Sequence, residues 1–161
     1  MYGSVDYHHK VVLDLGADVG STADYFLQKG AVKVFAVEGD AGLFSRLCRN
    51  IKTVLQDERF ERVAPMCCQI RDPETLAGIL FQTQPQVVKM DLDSEGHIWE
   101  RDLIPKLPDN VLRIAGEWLV ECHQRYSFND VAARLRAAQF TLLRDELWAP
   151  PNCSVAYFKL M

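Results

Sequence analysis

The sequence predicts an α/β fold, a Rossmann-like three-layer sandwich. Its sheet should be mostly parallel and seven-stranded, ending in a C-terminal antiparallel hairpin. Three observations carry this. Five short apolar runs alternate with segments of helical periodicity, the pattern of successive βα units. The first run, Val11–Leu15, passes directly into a glycine turn, Gly16-Ala17-Asp18-Val19-Gly20. The last two strand segments are joined by Trp148–Asn152, a connection too short for a helical crossover, so they should pair antiparallel. The 161 residues suit one domain with a full core, spanning 1–161.

Taken in order, Met1–Lys10 is polar and aromatic, with His8 and His9 placed at the surface. Strand one is Lys10–Leu15. A helix from Ser21 to Lys29 follows, with Gly30 at its C′ position. Strand two is Val32–Val37, closed by Glu38. The helix over Ala41–Leu55 carries Leu43, Leu47, Ile51 and Leu55 at i+4 spacing, with Arg46, Arg49, Asn50 and Lys52 on the solvated face. Strand three is Arg62–Cys67, and a helix covers Pro73–Gln82. That helix has an N-cap at Asp72, proline at N1 and Glu74 in the first turn. Strand four is Gln86–Met90 and runs into Asp91-Leu92-Asp93-Ser94-Glu95-Gly96-His97. A short helix over Ile98–Ile104 is ended by Pro105 and Pro108. Strand five is Glu117–Cys122, followed by His123. Ser127 is the expected N-cap of a helix whose apolar face is Val131, Leu135 and Ala138. Phe140–Leu147 and Ser154–Leu160 form the hairpin.

Bulk properties exclude several classes. A net charge of −4 disfavours general nucleic-acid binding, which needs a basic face. The N-terminal residues have no apolar core of a signal peptide, and no run is long enough to span a bilayer. Five cysteines without a C-x-x-C pair read as reduced, mostly buried thiols of a cytoplasmic protein.

The informative chemistry sits at the strand ends. Gly16 and Gly20 permit a sharp turn and a close backbone approach to a ligand. The helix that follows offers free N–H groups. A pyrophosphate at this turn would be repelled by Asp14, and the spacing is G-x-x-x-G, not G-x-G-x-x-G. A carboxylate suits a ligand with a cationic amino-acid tail, as S-adenosyl-L-methionine (SAM) has. Glu38 falls about twenty residues past the turn, where an acid accepts ribose hydroxyls. Asp72 has two open roles, touching adenine or capping its helix. An NAD-dependent oxidoreductase is the alternative that Asp14, the glycine spacing and the hairpin disfavour.

With these residues in place, the chain resembles class I SAM-dependent methyltransferases, and within them the FkbM family. Val11-Val12-Leu13-Asp14-Leu15-Gly16-Ala17-Asp18-Val19-Gly20 matches that family's V-V-x-D-x-G-A-N-x-G, with Asp18 in place of Asn. Val34-Phe35-Ala36-Val37-Glu38 matches its acid-closed second strand. Lys89 to Gly96 loosely matches K-x-D-x-E-G-x-E, and Glu121-Cys122-His123 matches E-x-H. The N-terminal extension common in such enzymes is almost absent. A partner copy supplying a lid is therefore an expectation.

The resemblance implies SAM as cofactor, held by Asp14, Gly16, Ala17, Asp18, Gly20, Glu38, Asp72 and Asp91. It implies O-methylation of a small-molecule or sugar hydroxyl. Asp91, His97 and His123 are the expected catalytic residues, imidazole being the group that titrates in the useful range. No metal is assigned, although Asp91, Asp93, Glu121 and His123 could gather as oxygen and nitrogen ligands. A degenerate SAM-binding domain without turnover is the other alternative. The expected partners are a small-molecule acceptor and a second copy of the chain, with no membrane.

Overall fold

A computed structural model describes residues 2–54, 59–94, 97–148 and 153–161. The chain runs β1 (Val11–Leu15), α1 (Ser21–Gln28), β2 (Lys33–Glu38), α2 (Ala41–Val54), β3 (Val63–Cys67), α3 (Pro73–Thr83) and β4 (Val87–Met90). It continues with a two-residue ladder, β5 (Asp93–Ser94) and β6 (His97–Ile98), then α4 (Trp99–Leu103), α5 (Asp109–Leu112), β7 (Glu117–Cys122), α6 (Arg125–Ala137), β8 (Phe140–Trp148) and β9 (Cys153–Leu160). The seven-stranded sheet has the order β3-β2-β1-β4-β7-β9-β8. The first five of these strands are parallel; β9 runs antiparallel to β7 and to β8.

The expected fold class is the one observed. Among the described residues, the short ladder and α5 are additions, each too brief to show a period in the sequence. Ser127 does not cap α6: the helix starts two residues earlier, after Gln124, and Ser127 turns inward. The connection 149–152 and Leu55 lie outside the described residues. Of the five cysteines, all free, only Cys122 is buried, and Cys67 is exposed on the edge strand β3. The expectation of mostly buried thiols is corrected here: an edge strand covered on one face shows its alternate residues to solvent.

Strand alternation sorts the core onto two faces. Leu13, Leu15, Val88, Met90, Trp118 and Val120 point to the layer holding α3 to α6. Val12, Val34, Ala36, Val87 and Leu119 point to the layer holding α1 and α2. Asp14 and Lys89 share the parity of Val12 and Val87, and they are direct neighbours in the β1–β4 register. Both therefore enter the α1 layer side by side. The chain leaves β1 toward β2 on one side and later occupies β4 on the other. This reversal opens a crevice at the carboxyl ends of the strands, the place where such sheets bind ligands.

Trp118 is the largest fully buried side chain, and its indole N–H donates to the Leu112 carbonyl at 3.1 Å. Trp118→Ala should lower unfolding stability by about 3–5 kcal/mol, by loss of transfer energy and opening of a cavity. Urea denaturation followed by far-UV circular dichroism measures this.

Candidate functional site

The β1–α1 turn is built from backbone constraints. Gly16 (φ +77°), Asp18 (φ +48°) and Gly20 (φ +95°) all lie in the left-handed region. A Cβ on Gly16 would stand 1.8 Å from the Asp91 carbonyl oxygen, so β1 and β4 can approach this closely only with glycine there. The clash is with the protein's own backbone. Gly16 is thus needed for the fold as well as for any ligand.

The Gly16 and Ala17 N–H groups both donate to the Val37 carbonyl at 3.0 Å. Glu38, at the end of β2, accepts from the Asp18 N–H at 2.9 Å and the Asp40 N–H at 2.8 Å. One carboxylate thereby ties the glycine turn to the β2–α2 turn. Each of its oxygens keeps further lone-pair capacity toward the cleft. No side chain caps the N-terminus of α1.

Asp14 does not line the cleft. It is fully buried, 3.1 Å from the Lys89 ammonium, and it accepts from the Thr22 hydroxyl at 2.5 Å. Lys89 also donates to the Gly16 carbonyl at 2.7 Å and lies 3.5 Å from Asp91. Burial pulls the Lys89 ammonium down, but Asp14 and then Asp91 push it up and prevail, so it stays charged. Burial pushes the Asp14 carboxyl up, opposed by Lys89 and Thr22. The sequence-based expectation of a direct Asp14–ligand contact is corrected accordingly: its two oxygens face Lys89 and Thr22.

Asp91 joins this pair to a second. His123 stands with Nε2 at 3.5 Å from Asp91 and Nδ1 at 3.6 Å from Glu100. Glu100 is almost fully buried and accepts from the His123 N–H at 2.9 Å and the Ser127 hydroxyl at 2.8 Å. Asp91 and Glu100 together push the imidazole up to about 10. Burial is the largest single influence on both carboxylates and pushes them up, but their partners together hold each below the usual range: His123 and Lys89 at Asp91, and His123, backbone amides and Ser127 at Glu100. His123 is therefore an imidazolium at neutral pH. In that state its charge holds the two carboxylates in place.

These groups open on a cavity of about 1570 Å³. Gly16, Asp18, Glu38, Gly39 and Asp40 line one end. Cys68, Gln69, Ile70 and Arg71 line a side wall, and Asp91, Trp99, Asp102, Lys106, Glu121 and His123 the rest. Of the predicted cofactor residues, Gly16, Asp18, Glu38 and Asp91 line it. Ala17 and Gly20 shape the turn behind it. Asp72 is off the cavity and caps α3, accepting from the Thr75 N–H at 2.7 Å. The side chains of His97 and Asp93 lie outside the described residues. Ligand atoms of Asp91, Glu121 and His123 lie within 4.8 Å of one another, so three of the four residues weighed as metal ligands do meet.

Glu100, Ser127 and the role of Lys89 were missed from sequence. A usable signal existed for Lys89: strands one and four each carry a lone charge in an apolar run, of opposite sign. Glu100 gave none, being an ordinary acid in a short helix.

No known protein-family model matches the chain, and no curated protein matches it in sequence. Solved structures do match. The FkbM methyltransferase of Methylobacillus flagellatus superposes with a TM-score of 0.75 at 14% identity, over 98% of this chain and 45% of that one. Sp1610 of Streptococcus pneumoniae, a candidate tRNA (m1A22) methyltransferase, gives 0.68 at 12%, over 98% of this chain and 66% of that one. Sp1610 is also known in complex with SAM. The Methanococcus jannaschii fibrillarin pre-rRNA processing protein gives 0.68 at 17%, over 97% and 69%. The chain spans less than two thirds of the first two. At these identities the likeness is one of fold. No described helix is long and apolar enough to cross a membrane.

Two outcomes are expected. Asp14→Ala leaves the Lys89 charge buried against the turn and should cost about 3–5 kcal/mol of stability. Asp14→Leu with Lys89→Met should cost less than the two single changes summed, as read in a urea double-mutant cycle. The second outcome concerns pH. A raised His123 pKa stabilises fully below about 6.5, the unfolded value, and the contribution is lost as pH rises to about 10. NMR of the imidazole should show no titration between about pH 6 and 8, and the alkaline fall in stability should be shallower in His123→Gln.

Proposed function

We propose that this chain is a SAM-dependent methyltransferase acting on a hydroxyl of a small molecule. The observation that carries the reading is the distribution of charge along the switch-point cleft. At one end Glu38 is anchored by two backbone amides and keeps lone pairs free for a pair of ribose hydroxyls. The cavity lining carries six carboxylates, Asp18, Glu38, Asp40, Asp91, Asp102 and Glu121, against the cations Arg71, Lys106 and His123. That formal excess of negative charge suits a ligand with an ammonium and a sulfonium. A nicotinamide dinucleotide would bring a pyrophosphate to the same acids.

When bound, SAM supplies a methyl already activated by its sulfonium. The chain's own residues then do the positioning. Gly16 and Asp18 shape the turn, Glu38 takes the ribose, and the wall from Cys68 to Arg71 flanks the base. Asp91, fixed between Lys89 and His123, would accept the hydrogen bond of the acceptor hydroxyl and, as the methyl bonds to oxygen and leaves sulfur, take its proton on to solvent. His123 is a positioning residue, holding Asp91 through its charge. The α4 side of the cavity, with Trp99 and Lys106, houses the acceptor. Acids along the cleft, with a chain charge of −4, favour a small molecule over an RNA.

Titration calorimetry with SAM, S-adenosylhomocysteine and NAD tests this. Micromolar binding of the first two without NAD binding is expected; NAD binding tighter than SAM binding would overturn it. Glu38→Ala should weaken SAM by about 1.5–3 kcal/mol, the cost of a lost charged hydrogen-bond partner. An unchanged Kd would remove Glu38 from the site.

A further inference from the structure

The α4 side of the cavity carries a cation that the protein itself leaves unused. Lys106 closes a single 3₁₀ turn, Ile104–Lys106, directly after α4. The flanks of that turn are fixed. Leu103, Ile104 and Leu107 are buried in the core, and Pro105 restricts the backbone between them. The Leu107 N–H donates to the Ile104 carbonyl at 3.2 Å, and Arg134 of α6 donates to the Leu107 carbonyl at 2.6 Å. Lys106 thus stands on an anchored turn, and with Trp99 and Asp102 it lines the cavity.

The other charges on this side are matched against one another. Asp91 lies 3.5 Å from the Lys89 ammonium and 3.5 Å from His123, and Glu121 closes on the same group. The His123 charge is held between Asp91 and Glu100. Asp102 precedes Lys106 by four residues, yet it accepts from Arg101 instead, from Nε at 3.3 Å and Nη2 at 3.1 Å. Among the described residues, Lys106 has no hydrogen bond or ion pair. The remaining lining cation, Arg71, stands on the wall that flanks the base. An anion entering beside α4 therefore meets one uncommitted ammonium, a donor of three hydrogen bonds with no fixed plane. Trp99 gives the carbon frame of the same molecule an apolar wall.

We propose that Lys106 is a specificity-determining residue that selects a methyl acceptor bearing an anionic group, a carboxylate or a phosphate ester, in addition to its hydroxyl. This rests on the SAM reading above and narrows its acceptor class. The anionic group takes no part in the transfer. The methyl leaves sulfur, which keeps the bonding pair, and bonds to the hydroxyl oxygen, whose proton passes by Asp91 to solvent. A cationic donor and an anionic acceptor then share one cleft, the donor against the carboxylates and the acceptor against the ammonium beside α4.

The test is calorimetry at low ionic strength on protein saturated with S-adenosylhomocysteine. The probes are 3-hydroxybenzoate, 3-hydroxyphenyl phosphate and the neutral 3-hydroxybenzyl alcohol, which share a hydroxylated ring and differ in charge. Wild type should bind at least one anion about tenfold tighter than the alcohol, and the anion preferred tells a carboxylate subsite from a phosphate one. Lys106→Met keeps the reach of the side chain without its charge, and there the preference should shrink to within about twofold. Lys106→Arg should retain it. Lys106 is exposed, so neither change should move the thermal midpoint or the Kd for S-adenosylhomocysteine. Equal binding of anions and alcohol by wild type, or binding of none of them, would overturn the Lys106 assignment and leave the cofactor reading standing. A preference that survives in Lys106→Met would overturn it too, by placing the anion on another cation. Weaker S-adenosylhomocysteine binding by Lys106→Met would overturn it by assigning Lys106 to the cofactor. Wild type that binds no S-adenosylhomocysteine would overturn the cofactor reading itself.

Discussion

The buried Lys89 ammonium is the point on which the cleft depends. It enters the α1 layer from β4 and meets Asp14 from β1, the Gly16 carbonyl at the turn, and Asp91 just past its own strand. Two segments distant in sequence, 14–16 and 89–91, are held at one centre. Burying a cation costs several kcal/mol unless its partners are close and hydrogen-bonded, so this centre tolerates little displacement. Such pairs add less to stability than to specifying one arrangement. Here the specified arrangement is the distance between two strand ends.

From that centre the charges alternate outward: Asp91 against His123, and His123 against Glu100, which Ser127 supports from α6. The alternation explains why an imidazole at a cleft wall is cationic. It also changes what the cleft can do. In the proposed methyl transfer, with His123 protonated, activation of the acceptor would fall to Asp91, and the methyl donor would carry most of the chemistry. A sulfonium is a donor of that kind. On the opposite wall, Glu38 uses the same economy of parts: one side chain fastens two turns and still faces the cavity.

Much of this could be read in the residues before the fold was seen. The order of strands and helices follows from hydrophobic period. The cap at Asp72 follows from its neighbours, and the antiparallel end follows from the short connection after Trp148. The glycine turn and Glu38 were legible because each depends on a few consecutive residues. Where expectation failed, the failure was of partner. Asp14 looked like a ligand contact because nothing adjacent in sequence neutralises it, and Lys89, its partner, is supplied by another strand. Ser127 looked like a cap because its local sequence fits one, and Glu100 from α4 draws its hydroxyl inward instead.

The sequence by itself determined the fold class, the element order, and the residues that stand at the ends of β1, β2, β4 and β7. These are consequences of local pattern and turn chemistry, which short stretches encode. Only the tertiary structure decided which of those residues face the cavity, which neutralise each other, and which proton His123 keeps. Those depend on register and on strand order. Asp14 lies beside Lys89 because β1 pairs with β4 in that one register, and a slip of one strand by one residue would send the two charges to opposite faces of the sheet.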